Sequence, residues 1–261
     1  MPEAAVELID FTGRSSPDPW YAANLLIWAK QTRTEMSPGG LSEISSWDEG
    51  KKLEQLQYIA ATIPASWEFV DFTFLITNVT RAFTHQFVRT RTLSFAQQTM
   101  QVLRVEGWDY HTGPSIKMDS SGAAEEIYDS LMRAISRTYT TLCNLSGVRI
   151  EDARGVLPTN ILTNIVAKGN LRTWCDLLRK RASPRNQGQR PGYEGEWSLV
   201  HREIRRQMQL AMPWTSLFLD RTADVVARDL YQLLENVADD QLRTDLTKRV
   251  DQLMYNVGEE P

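Results

Sequence analysis

The spacing of apolar residues changes period along the chain, and each change marks an element. Trp20 to Arg33 carries Leu25, Leu26, Trp28 and Ala29 on one side, a helical pattern, and Ser37-Pro38-Gly39-Gly40 reads as a break after it. Ser46 to Ala61 is again helical, with Asp48 and Glu49 placed to favour the positive end of the helix dipole. Phe72, Phe74 and Ile76 then alternate with Thr73, Leu75 and Thr77, which predicts a strand. In Thr80 to Arg91, Arg81, His85 and Arg89 recur every fourth residue, so a helix would stack them on one face. Residues 105–122 are broken by Gly107, Gly113, Pro114 and Gly122 and predict strand and turn pieces.

Ala123 to Leu145 is the longest amphipathic stretch. Its stripe Ile127, Leu131, Ile135, Thr138 and Leu142 is expected to pack on the core. Arg154 to Pro158 reads as a helix end and turn, Asn160 to Val166 as strand or helix, and Gly169 to Arg181 as helix. Residues 182–197, with Pro184, Gly188, Pro191, Gly192 and Gly195, predict a long loop. Leu199 to Leu210 and Ala223 to Tyr255 return to the helical period. With no repeat or convincing linker, the chain reads as one α/β (α+β) domain, a mixed sheet flanked by long helices.

Composition narrows the class. Apolar residues make up 42% and charged residues 24% of the 261, within the range of a globular protein. No apolar run approaches the roughly 20 residues of a membrane span. Met1-Pro2-Glu3-Ala4-Ala5 does not open a signal peptide. Cys143 and Cys175 form neither a disulfide framework nor a metal motif. The expectation is a cytoplasmic protein without metal or membrane partner.

Net charge is -4, yet its distribution is uneven. Thr73 to Val105 contains no acid but holds Arg81, Arg89, Arg91 and Arg104, and between Lys168 and Arg190 only Asp176 opposes seven basic residues. Two basic zones in an acidic chain point to a confined anionic ligand rather than a long nucleic acid; the alternative is two solvated helix faces. The chemistry is densest from Arg81 to Gln101, where arginines are followed by hydroxyls and amides. Guanidinium forks hold phosphate oxygens in pairs, and amides read the edges of a heterocycle.

The order Arg81-Ala-x-x-His85-Gln86-x-x-Arg89-Thr90-Arg91-x-x-Ser94 resembles the signature of the flavin-dependent thymidylate synthases, Arg-His-Arg followed by seven residues and Ser. Thr99 stands at the signature serine. Glu68 with Phe72-Thr73-Phe74, Ala153-Arg154-Gly155-Val156-Leu157-Pro158, Asn170-Leu171-Arg172 through Arg181, and His201-Arg202-Glu203-Ile204-Arg205 resemble further blocks of that family, in the same order. The resemblance implies a homotetrameric flavoenzyme acting on a pyrimidine nucleotide monophosphate, dUMP in the family at large. Methylenetetrahydrofolate would donate the carbon and NADPH would reduce FAD. No cysteine nucleophile is implied. By position, Arg89, Thr90, Arg91, Asn170 and Arg172 would hold FAD. Gln86, Gln97, Gln98, Thr99, Gln101, Arg154 and Arg181 would line the nucleotide pocket. Arg181 and Thr99 would stand nearest the chemistry, Arg181 stabilising charge that builds on the pyrimidine ring.

This sequence also departs from the family pattern. Thr90 replaces the central His, Thr99 the Ser, Ala96 an Asn and Gln101 an Arg, while Ile63 and Phe69 stand near positions that often carry His. Besides ordinary dUMP methylation, the departures admit UMP or a cytosine nucleotide as substrate, a hydroxymethyl product, or a non-catalytic nucleotide- or RNA-binding homologue.

Overall fold

The computed structural model describes residues 3–31, 38–62, 64–100, 109–181, 195–219, 234 and 237–256. The chain packs as two compact units. The first is Met1–Phe11, Asp71–Gly169 and Gln187–Gln207; the second is Thr12–Val70, Asn170–Asn186 and Met208–Pro261.

A four-stranded sheet forms the first unit, in the order β1-β2-β4-β3, with β1 Ala5–Phe11, β2 Asp71–Thr80, β3 Ser94–Gln97 and β4 Leu162–Asn170. β1 pairs antiparallel with β2, and β3 with β4. Along the β2–β4 seam Arg81 N–H donates to Ile161 O at 3.1 Å; just past the opposite ends of the two strands, Leu171 N–H donates to Val70 O at 2.7 Å. Numbers therefore rise along one strand as they fall along the other, and the sheet is antiparallel throughout. The α/β class read from the sequence holds. Alternation places Phe72, Phe74 and Ile76 in the core at 0% exposure. The rhythm breaks at Asn78, whose φ of 57° is tolerated by Asn better than by most residues. Stretch 160–166, left open between strand and helix, is the start of β4, where Thr163, Ile165 and Ala167 are buried and their neighbours are not.

β1 was not legible in the pattern. Glu7 and Asp10 interrupt its apolar run, and the register shifts between Leu8 and Asp10. Tertiary contacts complete it: the Gln207 amide accepts from Leu8 N–H and donates to Val6 O.

The helices are α1 Tyr21–Lys30, α2 Pro38–Ser45, α3 Glu49–Ala60, α4 Arg81–Phe87, α5 Pro114–Lys117, α6 Ala123–Asn144, α7 Ile150–Ala153, α8 Leu171–Arg181, α9 Glu196–Ala211, α10 Ser216–Leu219 and α11 Asp240–Asn256. Within the expected break at Ser37–Gly40, Pro38 to Gly40 instead start α2, because proline suits a first helical turn, where its missing N–H costs nothing; Ser37 lies outside the described residues. Asp48 caps α3 by accepting Lys51 N–H at 2.9 Å. α4 ends at Phe87 rather than at Arg91, so Arg89 does not stack on Arg81 and His85. Residues 114–117, expected as strand or turn, form α5. Glu196 and Trp197, expected in the loop, begin α9; residues 182–194 of that loop, Gln101, and residues 223–233, 235 and 236 of the last expected helix lie outside the described residues.

The stripe on α6 is corrected in part: Ile135 and Leu142 pack partly buried against the core, as expected, but Ile127, Leu131 and Thr138 are exposed. The helix buries Met132, Tyr139 and Cys143 against Ala153 and Ile161, whereas Ile127 is 72% and Leu131 54% exposed. A 22-residue helix has an apolar arc wider than one packing partner covers, and within the chain the other side of that arc wins the core.

Beside this cluster Tyr110 donates to Asp129 Oδ1 at 2.8 Å. Burial, and after it that hydrogen bond, pushes the Tyr110 phenol up to about 12. The folded chain thus holds this proton more tightly than the unfolded chain, whose phenols titrate near about 10. The stability this contributes is complete below about pH 10 and is lost as pH rises toward 12. Tyr110 should be among those of the eight tyrosines that ionise late in an ultraviolet titration, beside Tyr128, which burial also raises, and Tyr110→Phe should shrink that late phase by one phenol. An unchanged titration in the variant would contradict the assignment.

The second unit is helical. Trp174, Leu26, Ile27, Leu56 and Ile59 are buried in it. Trp67 meets Phe218 edge-on at 4.9 Å between ring centroids and donates its indole N–H to Ile59 O.

Candidate functional site

In the first unit, Thr80 to Thr99 folds as helix, turn and strand. Thr80 caps α4, its hydroxyl accepting Phe83 N–H at 2.9 Å. The Glu196 carboxylate accepts from both the Thr80 N–H and the Thr80 hydroxyl, each at 2.6 Å. Trp197 packs on Phe83 and Phe87, with ring centroids 4.3 and 5.7 Å away, and donates its indole N–H to Gln86 Oε1 at 3.2 Å. The first turn of α9 therefore grips α4 at both ends.

Arg81 opens α4, and its Nη1 reaches the Gln98 carbonyl at 3.5 Å. Burial, and then the charge of Arg154, lower its pKa. Arg154 stands at the end of α7, with its Nε donating to Glu151 O at 3.2 Å. Among the described residues no carboxylate pairs with either guanidinium; their partners are backbone carbonyls. Two cations held close without an acid repel one another, and a bound anion would offset that repulsion. Arg154 was named from the sequence. Arg81 was noticed only as one cation among several, because nothing in the spacing ties it to Arg154; only the fold does.

Gln97 and Gln98 follow. Gln97 lies opposite Ile165 in the β3–β4 ladder, and its Nε2 donates to Thr84 Oγ1 at 2.8 Å. Gln98 takes the next position: its Oε1 accepts from Asn164 Nδ2 at 3.1 Å, while Asn164 Oδ1 accepts Asn78 N–H. Adjacent strand residues face opposite ways, so within one chain these two amides do not share a face. Thr99 follows β3 and is exposed. Arg89, Thr90 and Arg91 sit on the turn after α4, with Arg89 N–H donating to Gln86 O and Thr90 N–H to Phe87 O. Arg89 and Arg91 are exposed, and no described carboxylate pairs with them.

The remaining candidates belong to the second unit. Asn170 Oδ1 accepts Thr173 N–H at 2.9 Å and so caps α8. Arg172 pairs with Glu68 at 2.7 Å, both side chains about half exposed. An exposed pair of this kind contributes little to stability, so Arg172 can exchange Glu68 for another anion at small cost. Arg181 closes α8, partly buried, and burial lowers its pKa. Trp174, Trp197, Cys143 and Cys175 are buried.

A model of the thymidylate synthase complementing protein family matches residues 7–214, which covers both units. The chain belongs to this family. The match takes in every candidate residue above. The flavin-dependent thymidylate synthase of Nitratidesulfovibrio vulgaris is 35% identical over 196 residues, 71% of this chain and 77% of the relative. That of Pyrococcus furiosus is 31% identical over 174 residues, 64% and 66% of the two chains. With the enzyme of that name from Clostridium tetani the identity is 29% over 137 residues, and the match spans about half of the relative, 53% of its length. Among the described residues no helix is long and apolar enough to cross a membrane.

Proposed function

We propose that this chain is a flavin-dependent thymidylate synthase, transferring a one-carbon unit from methylenetetrahydrofolate to C5 of dUMP. The observation that carries the reading is the unmatched Arg81–Arg154 pair, set beside Gln98 in the segment whose motif resembles the family signature. Paired guanidiniums suit a dianionic monophosphate. Arg154 and Arg81 hold that phosphate, and Gln86, Gln97, Gln98, Thr99 and Gln101 orient sugar and ring. Arg181 is read as stabilising negative charge as C5 becomes nucleophilic, and its partly buried setting would strengthen that interaction.

FAD fits the remaining donors. Arg89 and Arg91 flank Thr90 on an exposed turn with no described carboxylate to satisfy them, as a diphosphate requires. Asn170 keeps its Nδ2 after capping α8, and Arg172 is only loosely held by Glu68. When bound, FAD supplies the reducing electrons, drawn from NADPH, that complete the methyl group. The protein's own work is positioning and electrostatics.

A homotetrameric assembly is part of the proposal. It is supported by the partly exposed α6 stripe, where Leu131, Ile135, Thr138, Leu142 and Leu145 follow the alternating four-and-three spacing of a helix seam, with Leu131, Thr138 and Leu145 exposed and Ile135 and Leu142 partly buried. The two units are read as working within one family domain, in a reducing, cytoplasmic setting that suits the buried cysteines Cys143 and Cys175, neither of them in a disulfide.

Purified protein should be yellow, or become so with FAD. Its reduced flavin should be reoxidised by methylenetetrahydrofolate only when dUMP is present. Parallel runs with UMP, dCMP and CMP, with mass analysis of product, test the departures at Thr90, Ala96, Thr99 and Gln101. Protein that binds no FAD would refute the reading.

A further inference from the structure

We infer that Trp197 is a positioning residue that fixes the hydrogen-bond polarity of the nucleotide pocket, turning the Gln86 amide so that its Nε2 donors are left for the ligand. The inference rests on the reading of Gln86 as a pocket residue. An indole nitrogen donates and cannot accept. It lies 3.2 Å from Gln86 Oε1. The two ends of a glutamine amide have nearly the same shape, so the partner decides the orientation. A flipped amide would set N–H against N–H and leave a donor unsatisfied on a side chain only 6% exposed.

Trp197 has little freedom to follow such a flip. Its ring is wedged between Phe83 and Phe87, and the preceding Glu196 holds the Thr80 N–H and hydroxyl. Gln86 itself is exposed, and its Oε1 already accepts from Trp197. Among the described residues nothing accepts from that Nε2. The group that meets the Gln86 Nε2 must therefore be a hydrogen-bond acceptor, and the two the test separates are a phosphate oxygen and a ring carbonyl such as O4 of uracil. The exocyclic amine of cytosine would set donor against donor.

Trp197→Phe, Gln86→Ala, Gln86→Glu and the Trp197→Phe/Gln86→Ala double variant separate the outcomes. KM and kcat are read with dUMP and dCMP, nucleotide affinity is read with deoxyuridine as well, and the unfolding midpoint is the control. Trp197→Phe keeps the ring and should raise KM for dUMP about three- to tenfold, with kcat changing less, the loss expected of one hydrogen bond. In the Gln86→Ala background it should add nothing, because the effect passes through Gln86. Gln86→Glu still accepts from Trp197 but offers no donor, and should raise KM at least about tenfold.

If the acceptor is phosphate, Gln86→Glu weakens dUMP and dCMP alike and spares deoxyuridine. If it is the ring carbonyl, the preference for dUMP over dCMP narrows. Additive losses in the double variant, or an unchanged KM in Gln86→Glu, overturn the inference. Wild-type protein that binds no pyrimidine nucleotide overturns the functional reading beneath it as well.

Discussion

Replacing Arg81 and Arg154 together with alanine should lower kcat/KM for dUMP at least about a hundredfold while leaving the unfolding midpoint unchanged or slightly higher. A hydrogen bond to a charged group contributes about 1.5–3 kcal/mol, and each 1.4 kcal/mol is about tenfold, so two lost guanidiniums carry the estimate comfortably past two decades. The loss should fall mainly on KM, since a phosphate remote from C5 is bound equally in ground and transition states. Affinity for deoxyuridine, which lacks the phosphate, should barely change. Stability should move in the opposite sense to activity. Arg154 is one cause of the lowered Arg81 pKa, and removing either charge relieves a repulsion that no described acid offsets. A variant that lost stability and activity in step would mark the pair as structural and refute the phosphate assignment.

The largest effect on stability should come from Trp174→Ala. The ring is 0% exposed in the second unit, on the helix that also carries Arg172 and Arg181. Truncating a buried Trp removes its transfer free energy and leaves a cavity, a cost of about 3–5 kcal/mol. At about 2–4 °C per kcal/mol for a protein of this size, the midpoint should fall by roughly 6–20 °C in calorimetry. Trp174→Phe should avoid most of that loss, because the smaller ring still fills much of the space. A loss for Trp174→Ala below about 1 kcal/mol would mean that the neighbouring helices collapse into the gap and that the ring is not a core anchor.

The sequence carried much of the candidate site because its chemistry is compressed into short runs. Arg89-Thr90-Arg91 and the Ala153–Pro158 block are legible as strings, and the family match over residues 7–214 agrees with that reading. Strand β2 was equally plain, since one face is wholly buried and alternation is then compulsory. Edge strand β1 was not. Its burial is partial, its run is broken by Glu7 and Asp10, and Gln207 of α9 completes its hydrogen bonding. The same limit applied to α6. A helical period says that one side is apolar, but not which part of a broad apolar arc will find a partner, and here Met132 and Tyr139 are inside while Ile127 and Leu131 are outside.

What the residues determined alone was therefore local: which segments are helix or strand, where the cations concentrate, and which motif family they resemble. What the tertiary structure decided was pairing. It brought Arg154 beside Arg81, turned Gln97 and Gln98 to opposite faces, ended α4 before Arg89, and set Trp197 against Gln86 from a stretch that read as loop. The physical reason is that propensity and periodicity act over a few residues, whereas charge repulsion, amide orientation and burial depend on groups that meet only once the chain has closed on itself.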